Sequence, residues 1–188
     1  MRVIMMGPPG VGKGTQAAIL AGTLGVPAIS TGELFRAHVA DGTDLGRRLR
    51  TIVEAGRYVP DEITNALVAE RLDESDARDG FILDGYPRTL AQVAELDRML
   101  RERDVELARA VLLVADTEVV VDRLLSRAVQ QKRADDDAEV IRHRISVYEQ
   151  ETAPLEEVYA EAGILVRVDG SAGQDEVARR VAAACRSE

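Results

Sequence analysis

Residues 7–15, Gly7-Pro8-Pro9-Gly10-Val11-Gly12-Lys13-Gly14-Thr15, place four glycines, one lysine and one hydroxyl side chain within nine positions. Glycines at this spacing let successive backbone N–H groups turn inward and cradle anionic oxygens. A helix opening at Lys13 would add the partial positive charge of its N-terminus. Lys13 could then reach the outer phosphates of a nucleotide, and Thr15 could donate a hydroxyl hydrogen bond. The pattern G-x-x-x-x-G-K is complete, but Gly14 stands where Ser or Thr commonly follows the lysine, and the hydroxyl comes one residue later. The position of the segment, after an apolar run and before an amphipathic one, points to phosphate binding rather than a plain glycine-rich turn.

A carboxylate and a set of arginines extend this chemistry. Phe81-Ile82-Leu83-Asp84 reads as a strand ending in an acid. At the carboxyl end of a parallel strand, Asp84 would face the same crevice as the glycine loop. There it would orient a hydrated Mg2+ ion, or else only cap the turn that follows. Arg36, Arg88, Arg123, Arg127, Arg133 and Arg144 are candidates for the positive charge that a transferring phosphoryl group requires. Most arginines of so arginine-rich a chain must be solvated or ion-paired, since only Lys13 and Lys132 of its 24 cations are lysine. Arg88 is singled out by the turn Gly85-Tyr86-Pro87 before it. Arg123 and Arg127 share one helix face, which would repel itself unless an anion lay over it.

The elements that must hold these residues alternate along the chain. Strands are predicted at Arg2–Met6, Val26–Ile29, Phe81–Asp84, Ala108–Ala115 and Ile164–Val168. Helices are predicted at Lys13–Leu24 (closed by Gly25), Leu90–Arg103, Thr117–Arg127, Ala138–Tyr159 and Gln174–Cys185, with a broken helical stretch from Thr31 to Asp73. Strand–helix alternation implies an α/β fold: an open, five-stranded parallel sheet with helices on both faces. At 188 residues the chain has the length of about one domain and ample material for a core. Its formal net charge of −9 argues against nucleic acid and anionic membrane as partners. The single cysteine, Cys185, excludes an internal disulfide and a multi-cysteine zinc site. It falls in what reads as a fraying terminus. His38 and His143 read as surface or structural residues. No apolar run reaches membrane-spanning or signal-peptide length, so the expected compartment is the cytoplasm.

Several segments jointly resemble the adenylate kinase family. The glycine loop has the family form GxPGxGKGT. Ser30-Thr31-Gly32-Glu33-Leu34-Phe35-Arg36 is similar to its STGDxxR segment. Asp84-Gly85-Tyr86-Pro87-Arg88-Thr89-Leu90-Ala91-Gln92 is similar to its DGFPRTxxQ segment, with Tyr86 in place of Phe. Asp122–Arg127 resembles its DRxxxR helix, and Arg133, Asp135, Asp136 and Arg144 match its RxDD…R spacing.

The resemblance implies Mg-dependent transfer between ATP and AMP to give two ADP. It assigns Gly10, Val11, Gly12, Lys13, Gly14 and Thr15 to the ATP phosphates, Arg123 to stacking near the ATP adenine and Arg127 to its phosphates. It assigns Thr31, Arg36, the backbone of Arg57, Tyr58 and Val59, and Gly85, Tyr86, Pro87 and Arg88 to AMP. Gln92 would read the adenine edge, and Arg133 and Arg144 would close over the transferring phosphoryl. Lys13, Arg88, Arg133 and Arg144 are thus the expected catalytic set, with Asp84 holding Mg2+ through water. The family usually has Lys at Arg57 and an aliphatic residue at Tyr58. Those contacts are expected to run through backbone.

The implied organisation is a core of residues 1–29, 60–127 and 138–188, a helical AMP-binding insertion at 30–59 and a short lid at 128–137, without the zinc-bearing extension of long forms. The acidic run in that lid would pair with arginines on closure, or merely cap the following helix. A monomer is expected. Two other readings remain at this level: a kinase preferring CMP, UMP or another monophosphate, and a nucleotide-dependent switch without monophosphate transfer. Thr31 and Gln92 favour adenine. The only asparagine, Asn65, lies outside any Asn-Lys-x-Asp guanine-reading segment.

Overall fold

A computed structural model describes residues 1–131 and 138–186, the side chains at 127–131 and 138 excepted. Five strands, β1 (Arg2–Met6), β2 (Ala28–Ser30), β3 (Phe81–Asp84), β4 (Arg109–Val114) and β5 (Leu165–Asp169), form one parallel sheet in the order β2-β3-β1-β4-β5. The strands are short, nearly continuous apolar runs, as expected of strands buried on both faces. Side chains alternate between the faces. Ile4, Met6, Phe81, Leu83, Ala110 and Leu112 enter one core. Val3, Met5, Ile82, Val111 and Leu113 enter the other.

Helices α4 (Asp61–Leu72), α5 (Leu90–Glu102) and α8 (Leu155–Glu161) cover the first face through residues such as Val68, Leu96 and Leu155. Helices α1 (Lys13–Leu24), α6 (Thr117–Gln131), α7 (Ala138–Val147) and α9 (Gln174–Arg186) cover the second through Leu20, Leu124, Ile141 and Val181. From β1 the chain winds one way to β2 and β3 and the other way to β4 and β5. The switch point therefore adjoins β1, and a crevice opens at the carboxyl ends of the strands. Helices α2 (Thr31–Ala40) and α3 (Asp44–Glu54) pack around a small core of their own, Phe35, Leu49 and Val59.

The five-stranded α/β architecture is the one expected, with local differences, among them α6 running on to Gln131 past the predicted end at Arg127. The predicted helix Ala138–Tyr159 is broken: α7 ends at Val147, a π-helical turn spans Tyr148–Thr152, and α8 begins at Leu155. Pro154 contributes no N–H and sits at the start of α8, where none is needed. Strand β2 lies two residues later at its start than predicted, because Pro27 is kept out of the ladder and only its carbonyl accepts, from Ile82 N–H. Cys185 is not in a frayed end. It is 8 % exposed, because Val177, Val181 and Cys185 recur every four residues and lay one face of α9 on the sheet.

Candidate functional site

The loop from Gly7 to Gly12 leaves β1 at the switch point and runs directly into α1. Gly10 has φ +86°, and a Cβ there would lie 2.5 Å from Leu124 Cγ. Both the turn and the close seat on α6 therefore demand glycine. Lys13 Nζ donates to Gly7 O at 2.7 Å and Pro8 O at 2.9 Å, so the ammonium is folded over its own loop. Arg123 donates to Val11 O (3.2 Å), Gly170 O (2.7 Å), Ser171 O (3.1 Å) and Ala172 O (3.1 Å). The guanidinium thus ties the glycine loop to the β5–α9 connection. Carbonyl dipoles thus surround the charge of Arg123. The side chain of Arg127 and all of Arg133 lie outside the described residues, as does lid segment 132–137.

Strand β3 brings Asp84 level with Met5 of β1. A Cβ on Gly14 would lie 3.3 Å from Asp84 Oδ2, and the Ser30 hydroxyl donates to the same oxygen at 3.3 Å. The glycine after Lys13 therefore lies close against a carboxylate, with little room for a side chain between them. Beyond Asp84, Gly85 has φ +78°, and its carbonyl accepts from the Thr31 hydroxyl (2.9 Å) and from Arg88 Nε (2.7 Å). A Cβ at Gly85 would meet Arg88 Nη2 at 2.8 Å and Thr31 Oγ1 at 3.0 Å, so only glycine lets both side chains converge there.

Lys13, Thr15, Arg36, Asp84, Arg88, Arg123 and Arg144 all line one crevice of about 490 Å³. A smaller cavity of about 50 Å³ lies between Lys13, Tyr58, Arg88, Arg144, Tyr148 and Thr152. Arg144 comes from α7 and lies so close over Gly56 that a Cβ there would meet its Cγ at 2.7 Å. Five described cations thus surround a space with two carboxylates, Glu33 and Asp84, on its wall. Such an arrangement binds and holds polyanionic groups, and it can stabilise charge developing on a phosphoryl group between them.

Other expected residues stand behind this wall. Tyr86 is 1 % exposed, and its hydroxyl donates to Asn65 Oδ1 at 2.7 Å; burial pushes its pKa up, so it stays neutral. Pro87 follows it through a cis peptide bond and is also buried. Arg57 is exposed, and its N–H donates to Ile52 O. Val59 is buried in the small core of α2 and α3, and its carbonyl accepts from Thr64 Oγ1 at 3.4 Å. Gln92 is 2 % exposed; its Oε1 accepts from Arg88 N–H at 2.7 Å and its Nε2 donates to Asp61 at 2.6 Å.

Sequence reading missed a support beneath Arg88. Its guanidinium lies 4.8 Å from the centre of the Tyr58 ring. The Tyr58 hydroxyl is 2.8 Å from Thr152 Oγ1, and Thr152 donates to Arg88 O at 2.9 Å. The Tyr58 side chain therefore supports Arg88. Thr152 and Asp61 carried no signal beyond, for Asp61, a helix-start position after Pro60. The expected surface or structural role of the histidines is seen at His38, whose Nδ1 is 3.0 Å from Thr43 Oγ1 in the α2–α3 turn, and at exposed His143.

A model of a family described as adenylate kinase matches residues 5–164 of the chain. An adenylate kinase of Clavibacter michiganensis is 55 % identical over 183 residues, covering 97 % of this chain and 92 % of that protein. One from Kocuria rhizophila is 53 % identical, covering 97 % of each chain. One from Thermobifida fusca is 50 % identical over 187 residues, covering all of this chain and 99 % of that protein.

Proposed function

The chain belongs to the adenylate kinase family and moves a phosphoryl group reversibly from ATP to AMP to give two ADP; we propose that the crevice at the strand ends is where it does so. The observation that carries the reading is the convergence of Lys13, Arg36, Arg88, Arg123 and Arg144 on one space with Asp84 in its wall. The loop N–H groups from Gly10 to Thr15 and Lys13 hold the ATP phosphates. The four carbonyls on the N–H edge of Arg123 leave its planar face for the ATP base, and Arg127 takes a phosphate. Arg36 and Arg88 hold the AMP phosphate, with Thr31, Gly85 and the segment from Arg57 to Val59 around the nucleoside and Gln92 on its base.

Phosphoryl transfer between two bound phosphates needs no side-chain nucleophile. AMP oxygen attacks the outer phosphorus of ATP in line, and the bond to ADP breaks as the new bond forms. Fixed approach of the two phosphates removes the entropic cost of encounter. Arg88, Arg133 and Arg144 stabilise charge on the transferring group. Residues 30–59 act as the AMP-side insertion and 128–137 as a short lid that excludes water. The hard carboxylate oxygens of Asp84, on the wall of the crevice beside the glycine loop, fit a hydrated Mg2+. When bound, Mg2+ neutralises charge on the ATP phosphates. Zinc has no part in this reading. No helix among the described residues is long and apolar enough to cross a membrane. The protein is read as a cytoplasmic monomer.

The test is ADP formation from ATP and Mg2+ with AMP, CMP, UMP, GMP or no acceptor, for the native chain and for Arg88→Ala. ADP appearing with AMP alone is the expected result. Arg88→Ala should lower kcat by about 10²-fold or more with an unchanged melting temperature. A variant with near-native turnover would remove Arg88 from the catalytic set.

A further inference from the structure

The amide of Gln92 is held in one orientation by two partners of fixed polarity. Arg88 N–H can only donate, and it takes Gln92 Oε1 at 2.7 Å. The Asp61 carboxylate can only accept, and its Oδ1 takes Gln92 Nε2 at 2.6 Å. Turning the amide over would set N–H against N–H at Arg88 and oxygen against carboxylate at Asp61. At 2 % exposure, water could relieve neither contact. Asp61 is itself secured, since its Oδ2 accepts from the Thr89 hydroxyl at 2.8 Å. Thr89 Oγ1 in turn accepts from Gln92 N–H at 3.1 Å, capping α5. The first turns of α4 and α5 are thereby locked together around one amide.

We propose that Asp61 is a specificity-determining positioning residue: by fixing the Gln92 amide it makes the acceptor site select a 6-amino over a 6-oxo purine. The inference rests on the reading that Gln92 meets the acceptor base. After Arg88 and Asp61 are served, the amide has one N–H and one oxygen lone pair left. A 6-amino purine presents a ring-nitrogen acceptor and an exocyclic donor along the facing edge, which match that pair. A 6-oxo purine presents a donor and an acceptor in the reverse order, so it would meet this amide donor to donor and acceptor to acceptor. An amide free to turn over would accept either base. The orientation that Asp61 sets together with the Arg88 N–H, rather than the mere presence of Gln92, is what discriminates.

The experiment measures kcat/KM for AMP and for inosine monophosphate at saturating ATP, in the native chain, Asp61→Ala, Asp61→Asn and Gln92→Ala. Asp61→Ala should shrink the AMP-to-inosine-monophosphate ratio about fivefold, the low end of what one base-edge hydrogen-bond pair discriminates, while KM for ATP holds. Asp61→Asn retains an acceptor oxygen for Gln92 Nε2 and should keep most of the ratio. Should Asp61→Ala not fold, Asp61→Leu also removes both acceptors at larger volume. An unchanged ratio in the Asp61 variants, with the ratio collapsing in Gln92→Ala, overturns the role of Asp61 alone. An unchanged ratio in Gln92→Ala overturns the reading of Gln92, and this inference with it.

Discussion

Arg88 shows how much a single side chain depends on what surrounds it. Its Nε is spent on Gly85 O, its plane rests on Tyr58, and its carbonyl accepts from Thr152. A guanidinium held by a carbonyl and a ring, on a backbone tied by Thr152, loses little further freedom when a phosphate arrives, which is the advantage of preorganisation. The Tyr58 ring contributes through cation–π attraction, and its hydroxyl through the contact with Thr152. Tyr58→Phe should therefore raise KM for AMP only about twofold to fivefold, the effect of one hydrogen bond. Tyr58→Ala should cost about tenfold, because the ring is lost as well. Initial-rate kinetics with AMP varied would show this grading. Equal effects of the two substitutions would assign the whole role to the hydroxyl.

At the scale of elements, two placements have no slack. Gly46 of α3 lies against α2 so closely that a Cβ there would stand 1.8 Å from His38 O. This contact is with backbone and cannot be relieved by a rotamer change. Gly46→Ala should destabilise the fold by about 1–3 kcal/mol, the cost of overpacking, and raise KM for AMP more than KM for ATP. Urea unfolding and steady-state kinetics would read the two effects. Helix α9 gives the second case. Burial raises the Cys185 thiol above its ordinary pKa, with Arg109 and Arg186 opposing only in part. Thiolate is scarce and access is blocked, so iodoacetamide should alkylate native Cys185 at least about tenfold more slowly than the denatured chain. Equal rates would mean that α9 undocks readily from the sheet.

The whole molecule is a sheet that carries its chemistry at one edge and its acid sensitivity on the outer surface. Asp169 is held below its ordinary pKa by the Ser171 backbone N–H, then by the Ser171 side chain and Arg180. Glu176 is lowered by Arg179 and Arg180, Asp76 by Arg71, and Glu95 by Arg98. Each native carboxyl is a stronger acid than its unfolded counterpart. Their stabilisation is present above the unfolded carboxyl range, near about pH 4, and is lost as pH falls through the lower native values. Thermal unfolding followed from pH 7 to pH 3 should show the melting temperature falling mainly below about pH 4.5, and 0.5 M salt should weaken the dependence, since these groups are exposed. A melting temperature that fell between pH 7 and pH 5 would point to other groups.

The glycine loop, the five strands and the order of the acceptor-side segments were legible in the chain because each is local. A run of apolar residues, a glycine spacing or a turn before an arginine acts through neighbours in sequence. Sequence alone determined that the glycine loop sits at the end of β1, that Asp84 closes β3 and that Arg88 lies in the turn after it. It could not show that Thr152 supports Arg88 from 64 residues away, or that Asp61 orients Gln92 across 31. Nor could it show that Arg123 spends its charge on carbonyls up to 112 residues distant. These are pairings of ordinary polar groups, and each polar group has many chemically equal partners in the chain. Only the packing of α4, α5, the π-helical turn and the β5–α9 connection against one sheet edge selects among them, because burial makes an unmet partner costly.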